Sequence, residues 1–288
     1  MEDKIFDSVN MFTLTVIGLV TMYPFYYLII MSFNNGLDSV LGGIYFWPRK
    51  FTLENYTTFL SDPKWVSAFF VSAARTVVGA VLTVWFTCLA AYALAQKHLL
   101  FRKFYFAFFI VAMYTSGGLI PYYVVLRGLG LLDTFWVYVL PSAVNIFFLI
   151  VAVSFFREIP EEIKESARMD GASELSIYMR LILPMSKPLL AAMSLFVGVG
   201  QWNSWLDSAY FVSDDNLRTL TYRMMEVINQ GMTPTDILSA EKAAAVNSVT
   251  TFSMQVTSMV IAILPILFVY PFLQKYFVKG IMLGSVKG

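Results

Sequence analysis

Six apolar runs, at roughly 11–31, 66–95, 104–126, 135–156, 188–207 and 249–273, constrain this chain more than any motif in it. At 1.5 Å of rise per residue each is long enough to cross a hydrocarbon core of about 30 Å. A backbone in lipid has to satisfy its own hydrogen bonds, so the runs are predicted as helices. The chain is therefore expected to be an all-α, polytopic membrane protein with six transmembrane helices in a single domain over residues 1–288. With 58% hydrophobic and only 14% charged residues, it carries more apolar surface than a water-soluble domain could hide. The formal charge of +1 offers no basic excess for nucleic acid. The opening MEDKIFD leads into an apolar run with no small-residue cleavage site after it, which predicts a retained first span. Cys88 is the one cysteine, so no intramolecular disulfide forms.

Orientation follows from Lys and Arg. If both termini are cytoplasmic, twelve of the twenty basic residues fall on the inside and seven outside, leaving Arg75 within a span. This places loop 157–187 and tail 274–288 in the cytoplasm, and loop 207–247 outside. Pro24 in the first run predicts a kink, whereas Gly117, Gly118 and Pro121 are expected to interrupt the third.

The segment 160–184, PEEIKESARMDGASELSIYMRLILP, is too polar to lie in a bilayer. Pro160 suits a first helical position, Glu161 and Glu162 suit the positive end of the helix dipole, and Gly171 suits a stop. Ser173 can cap a second helix, whose apolar stripe is predicted at Leu175, Tyr178, Met179 and Ile182, with Pro184 limiting its far end. Small residues crowd the intervening bend, so another protein could approach the backbone closely.

Glu165, Ala167, Gly171, Leu183 and Pro184 fit the "EAA" loop of ABC importer permeases: EAA, three residues, Gly, nine residues, Ile, any residue, Leu, Pro. Ser166 replaces the middle Ala and Leu181 the Ile. The longer ESARMDGAS resembles the carbohydrate-importer branch, which includes the smaller permease subunit of the maltose importer. Residues 46–56, FWPRKFTLENY, are similar to the first external loop of these permeases, GGLIP at 117–121 resembles permeases for larger, including uronic-acid and alginate-type, oligosaccharides, and the tail QKYFVKGIMLGSVKG is similar to theirs. The resemblance implies a type I importer permease fold. It implies too that Glu165, Ser166, Ala167, Asp170, Gly171, Ala172 and Pro184 form a coupling helix docked on an ATPase subunit. The implied partners are a second, different permease subunit, two ATPase subunits and an extracellular or periplasmic carbohydrate-binding protein, in a bacterial plasma (inner) membrane.

Five side chains are candidates for a carbohydrate path. Arg75 is the one charged residue well inside an apolar run, where insertion costs about 2.5–3.5 kcal/mol, so it should snorkel outward or line the path. Asn145, and Gln201, Trp202 and Asn203 within GQWNSW, pair amides with an indole; a sugar's C–H face stacks on the ring while its hydroxyls bond the amide. Helix-to-helix hydrogen bonding and interfacial anchoring are the plain structural roles for the same residues. In the external loop Leu220, Met224, Val227 and Ile228 form a helical stripe ended by Gly231, expected to meet the binding protein or to lie in the headgroup layer.

No Gly-Lys pair exists in the chain, so it has no GxxxxGK[ST] loop, and MgATP is expected to be bound by the partner ATPase. No Asp or Glu is read as lying inside any of the six spans, which counts against an ion-coupled secondary transporter. A single His98 and a single Cys offer neither a metal cluster nor a His-based relay, which counts against a membrane enzyme; no catalytic, metal or cofactor residue is expected. An importer permease for a non-sugar solute is the remaining alternative.

Overall fold

Backbone hydrogen bonding turns the apolar runs into helices, some continuous and some interrupted at particular residues. In the computed structural model the backbone is described for residues 2–230 and 249–285, and side-chain surroundings for 4–229 and 249–271. Among the described residues there is no strand, only an isolated antiparallel bridge between Asn34 and Phe51. Among the described residues three helices are long and apolar enough to cross a membrane, Lys4–Ser32, Pro63–Ala95 and Thr251–Pro271. Up to six crossings result if bent pairs count as single spans: Arg102–Tyr114 with Leu119–Gly128, Phe135–Ser142 with Ile146–Glu158, and Glu174–Met185 with Lys187–Asn203, bent by 117°, 44° and 82°.

Each bend has a local cause. Gly118, at φ +78, interrupts the third run before Leu119 restarts it. Asn145 caps Ile146–Glu158 by accepting from the Phe148 N–H at 3.1 Å. Ser186 and Pro188 separate Glu174–Met185 from Lys187–Asn203. The first helix, Glu2–Ser32, passes through Pro24 unbroken. The fifth run does not reach 207 as one helix. It stops at Asn203, and a short helix, Leu206–Phe211, follows two residues later.

The chain groups into two compact units, 1–66 with 223–265 and 67–222 with 266–288. In the first, Ile30, Met31, Ile44 and Val256 form an apolar core. The external-type loop folds on a polar knot: Asn34 donates to Asp38 and Ser39 and accepts from the Lys50 N–H, and Asn55 donates to the carbonyls of Ser32 and Asn34. Arg49, 3.0 Å from Asp38, holds that carboxyl below its ordinary range, helped by Asn34. The residues matching FTLENY are held by Asn55 on the carbonyls of Ser32 and Asn34 and by Phe51 and Tyr56 packed on the Phe33 ring. Met224, Val227 and Ile228, in helix Leu220–Gln230, are half-buried. Gly231 and the loop to 248 lie outside the described residues, as does the end of the tail beyond Ser285.

The second unit packs Pro63–Ala95, Ile146–Glu158, Glu174–Met185 and Lys187–Asn203 around Cys88, Ala91, Ala152, Val153, Phe156, Tyr178 and Met193. Lipid is as apolar as Leu, so apolar transfer contributes little between helices; fully buried Ala91 and Ala152 let backbones approach and gain dispersion contacts. Large side chains such as Phe104, Phe108 and Val111 face outward, where a soluble protein would expose polar groups.

Candidate functional site

Helix Pro63–Ala95 presents Ser72, Arg75, Gly79, Thr83 and Thr87 at spacings of three and four residues, hence along one face. Each does specific work there. The Ser72 hydroxyl accepts the Leu220 N–H, the Thr83 hydroxyl donates to the Ser142 carbonyl, and the Thr87 hydroxyl accepts the Asn145 N–H. A methyl group at Gly79 would lie 2.9 Å from the Gln201 amide, so only glycine lets that side chain lie across the helix.

Arg75 is 2% exposed and does not snorkel. Its guanidinium donates through Nη1 and Nη2 to both oxygens of Asp207, through Nε and Nη2 to Gln201 Oε1 at 3.2 and 2.9 Å, and to the Ser204 carbonyl at 3.3 Å. Its carbon lies 4.5 Å from the centre of the Tyr138 ring. Gln201 in turn donates to the Ser142 hydroxyl at 2.8 Å. The break at residues 204 and 205 makes this possible, because it turns Asp207 back toward the helix that carries Arg75. Such bidentate pairing and ring stacking offset the desolvation of a buried cation. The apolar runs alone place Asp207 where the fifth run meets the external loop and give it no partner; the structure makes it the counter-ion of Arg75.

These groups border a cavity of about 350 Å³. Arg75, Asn145 and Gln201 line it, together with Tyr122, Tyr138, Ser142, Phe148, Phe196 and Asp207. Trp202 and Asn203 do not: Trp202 is buried edge-on against Phe69, and Asn203 faces away on the exposed side of the helix. Sequence reasoning missed Tyr122, Tyr138, Ser142, Gly79 and Asp207. For Gly79 the polar face at 72, 75, 79, 83 and 87 was an available signal; for the others there was none.

A second feature stands at the far end of the same helix. Helix Glu161–Met169 ends in a Schellman arrangement, with the Gly171 N–H bonded to the Arg168 carbonyl at 3.0 Å and the Ala172 N–H to the Ala167 carbonyl at 2.9 Å. Gly171 takes φ +80. Ser173 then caps Glu174–Ile177, its hydroxyl accepting from the Ser176 N–H. Arg168 ties the corner together, reaching Glu174 at 2.8 Å, Glu161 at 3.3 Å and Gln96 at 3.4 Å, while Tyr92 donates to Glu174 at 2.7 Å. Burial pushes the Glu161 carboxyl up, but Lys164 and Arg168 pull harder and leave it below its ordinary range.

Glu165, Ser166, Asp170, Gly171 and Pro184 are exposed, Ala167 and Ala172 pack inward, and Met169 projects 88% exposed from the tip. The predicted stripe needs correction. Tyr178 and Ile182 are buried, but Leu175 and Met179 are exposed and Ile177 takes their place. The reason is a π turn over Tyr178–Ile182, which brings residues five apart onto one face. The helix then runs past Pro184 to Met185, with Pro184 in the first turn of the segment Leu183–Met185, where its missing N–H is tolerated.

The chain matches the model of the family described as binding-protein-dependent transport system inner membrane component over residues 3–283. It is 38% identical over 286 residues to Protein LplC of Bacillus subtilis (strain 168), covering 99% of this chain and 96% of that protein. With the Polygalacturonan/rhamnogalacturonan transport system permease protein YtcP of the same organism it shares 33% identity over 290 residues, covering all of both. The crystal structure of a bacterial ABC transporter involved in the import of the acidic polysaccharide alginate contains a chain with a TM-score of 0.87 and 27% identity, over 96% of this chain and 98% of that one. With its bent apolar helices and exposed glycine corner, this chain belongs to the binding-protein-dependent transport system inner membrane components.

Proposed function

We propose that this chain is one of two different permease subunits of an ATP-driven importer for an oligosaccharide, delivered by an extracellular or periplasmic binding protein. As an inner membrane component it is a multi-pass membrane subunit of the plasma membrane. The observation that carries the reading is the corner at Gly171, where an EAA-type sequence coincides with a rigid, solvent-exposed bend. Glu165, Ser166, Asp170 and Met169 form its outer surface, which suits a cleft on an ATPase subunit that binds MgATP. Six spans with both ends cytoplasmic follow from the apolar runs and from the Lys and Arg bias.

Closure of the ATPase pair would move the corner as a rigid lever, because Arg168, Glu174, Tyr92 and Gln96 bind it to the end of helix Pro63–Ala95. The same helix carries Arg75 and the cavity. Movement at the corner is thereby transmitted to the path, and the nucleotide needs only to favour one of two packings.

The test is uptake into liposomes holding both permeases and both ATPase subunits, with binding protein outside. ATP inside is expected to drive accumulation of an oligosaccharide, tested with a neutral arabino-oligosaccharide and an acidic oligogalacturonide. Uptake driven by an ion gradient without ATP, or ATP-driven uptake of neither probe, would overturn the proposal.

A further inference from the structure

We infer that the cavity beside Arg75 is a subsite for a single sugar unit which reads hydroxyls and a C–H face and is indifferent to whether the sugar is acidic. This rests on the importer reading above, and it assigns a substrate contact to this subunit. At about 350 Å³ the cavity is at the small end of ligand sites, enough for one ring rather than a chain.

The free groups in it are the relevant ones. Among the described residues, the Asn145 amide nitrogen has no hydrogen-bond partner, because the cap uses only the carbonyl oxygen. The Tyr122 hydroxyl likewise has none, although its ring is held edge-on by Phe211. Phe148 and Phe196, 6.1 Å apart, supply an apolar wall. One free amide donor, one free phenol and a pair of phenyl faces suit a pyranose or furanose, whose hydroxyls need partners and whose axial hydrogens stack on rings.

The charge, by contrast, is spent. Both oxygens of Asp207 and the Gln201 carbonyl oxygen occupy the Arg75 guanidinium, so cation and anion cancel inside the cavity. A uronate entering here meets no unpaired cation. Selection between acidic and neutral oligosaccharides then falls to other components of the importer, and Asp207 is what keeps this subsite neutral.

The experiment uses the complete reconstituted importer and two probes of equal length, an arabino-oligosaccharide and an oligogalacturonide. Each variant is expressed as a ratio to wild type for the same probe, which cancels the binding protein's own preference. Asn145→Ser keeps the helix cap but loses the free amide, and Tyr122→Phe keeps the ring; each is expected to raise the half-saturating concentration about fivefold for both probes alike, as for one lost hydrogen bond. Asp207→Asn releases the Arg75 charge and is expected to favour the acidic probe about tenfold over the neutral one. The double variant Arg75→Gln, Asp207→Asn removes both charges and should restore the original ratio; it covers the case in which Asp207→Asn alone does not assemble. Near-normal uptake of both probes by Asn145→Ser and Tyr122→Phe would overturn the subsite while leaving the importer reading intact. A loss confined to the acidic probe would overturn its indifference to charge. If the wild-type importer moves neither probe with ATP, the importer reading falls and the subsite with it.

Discussion

The corner at Gly171 and the cavity at Arg75 occupy two regions of helix Pro63–Ala95, with Tyr92 and Arg75 separated by about 25 Å of helical rise. They are built from opposite materials. The corner is exposed and, Lys164 apart, its charges pair at a surface where water competes, so the exposed pairs contribute no more than about 1 kcal/mol each. Its shape comes from backbone geometry. At the cavity the cation Arg75 is buried, and the shape of the site depends on that one cation, whose partners all have to be present. Rigidity at the corner is therefore tolerant of side-chain loss but not of backbone change, and the cavity has the reverse vulnerability.

The largest effect should come from leaving the buried cation alone. Asp207→Ala is expected to cost about 3–5 kcal/mol, because it strands Arg75 without a counter-ion. The measurement is thermal unfolding of the purified complex. Combining it with Arg75→Met should recover most of the loss, since neither charge then remains. An Asp207→Ala protein as stable as wild type would mean that the cavity behaves like the exposed corner and that water solvates Arg75.

Gly79→Ala comes next. Its methyl group would sit 2.9 Å from Gln201 and force that amide off Arg75, an overpacking effect of about 1–3 kcal/mol. Unfolding temperature should fall, and uptake should fall with it, because the same amide borders the cavity. Gln201→Ala in the Gly79→Ala background should then cost little further. Independent, additive losses would show that the two residues do not meet.

At the corner the sensitive position is glycine itself. Gly171→Leu puts a side chain at φ +80, with about 1–2 kcal/mol of strain, whereas Gly171→Asn should be milder because asparagine visits that region. Coupling should suffer more than stability. A leucine branch on the outer face would hold the ATPase subunit off, so ATP-driven uptake is expected to drop at least tenfold while the permease still assembles. Full transport by Gly171→Leu would remove the corner from the coupling role.

The two regions also differ in how far the amino-acid sequence alone discloses them. The turn at the corner is local: Gly171 and Ser173 act on backbone groups within a few residues, so their spacing alone states it, whereas the ties to Tyr92 and Gln96 are long-range. The Arg75 to Asp207 pair joins residues 132 positions apart, and no periodicity records it. The stripe at Leu175 and Met179 failed for a different reason. In a membrane subunit the outer face can be apolar as well, so a hydrophobic stripe does not say which side is buried, and one π turn shifted the face. The overall class was legible because length and hydropathy decide it in lipid. Gln201 and Asn145 were legible as polar residues in apolar runs, while Trp202 was not, since an indole also packs as an ordinary core side chain against Phe69.

The smallest effect should come from Glu161, and it bears directly on the contrast between the regions. Its folded pKa lies below the ordinary carboxylate value because Lys164 and Arg168 outweigh the effect of burial. A carboxyl depressed in this way contributes stability that is fully present above the unfolded value, near 4.5. That contribution is lost as pH falls through the lower folded value, so the corner should be unchanged from pH 7 to 5 and weaken only below about 4.5. Glu161 is 26% exposed in both pairs, so water screens them and the whole contribution should stay under about 1 kcal/mol. Glu161→Gln should remove its share of the acid dependence, leaving that of Glu174, which Arg168 holds below its ordinary range, and lower amide protection at Gly171 and Ala172 by less than about fivefold at neutral pH. Hydrogen exchange, corrected for intrinsic rates and followed from pH 7 to 4 in the complex, measures both. A loss of protection as large as that expected from Gly171→Leu would mean that the ion pairs, rather than the glycine-closed backbone, hold the corner rigid, and the contrast with the cavity would disappear.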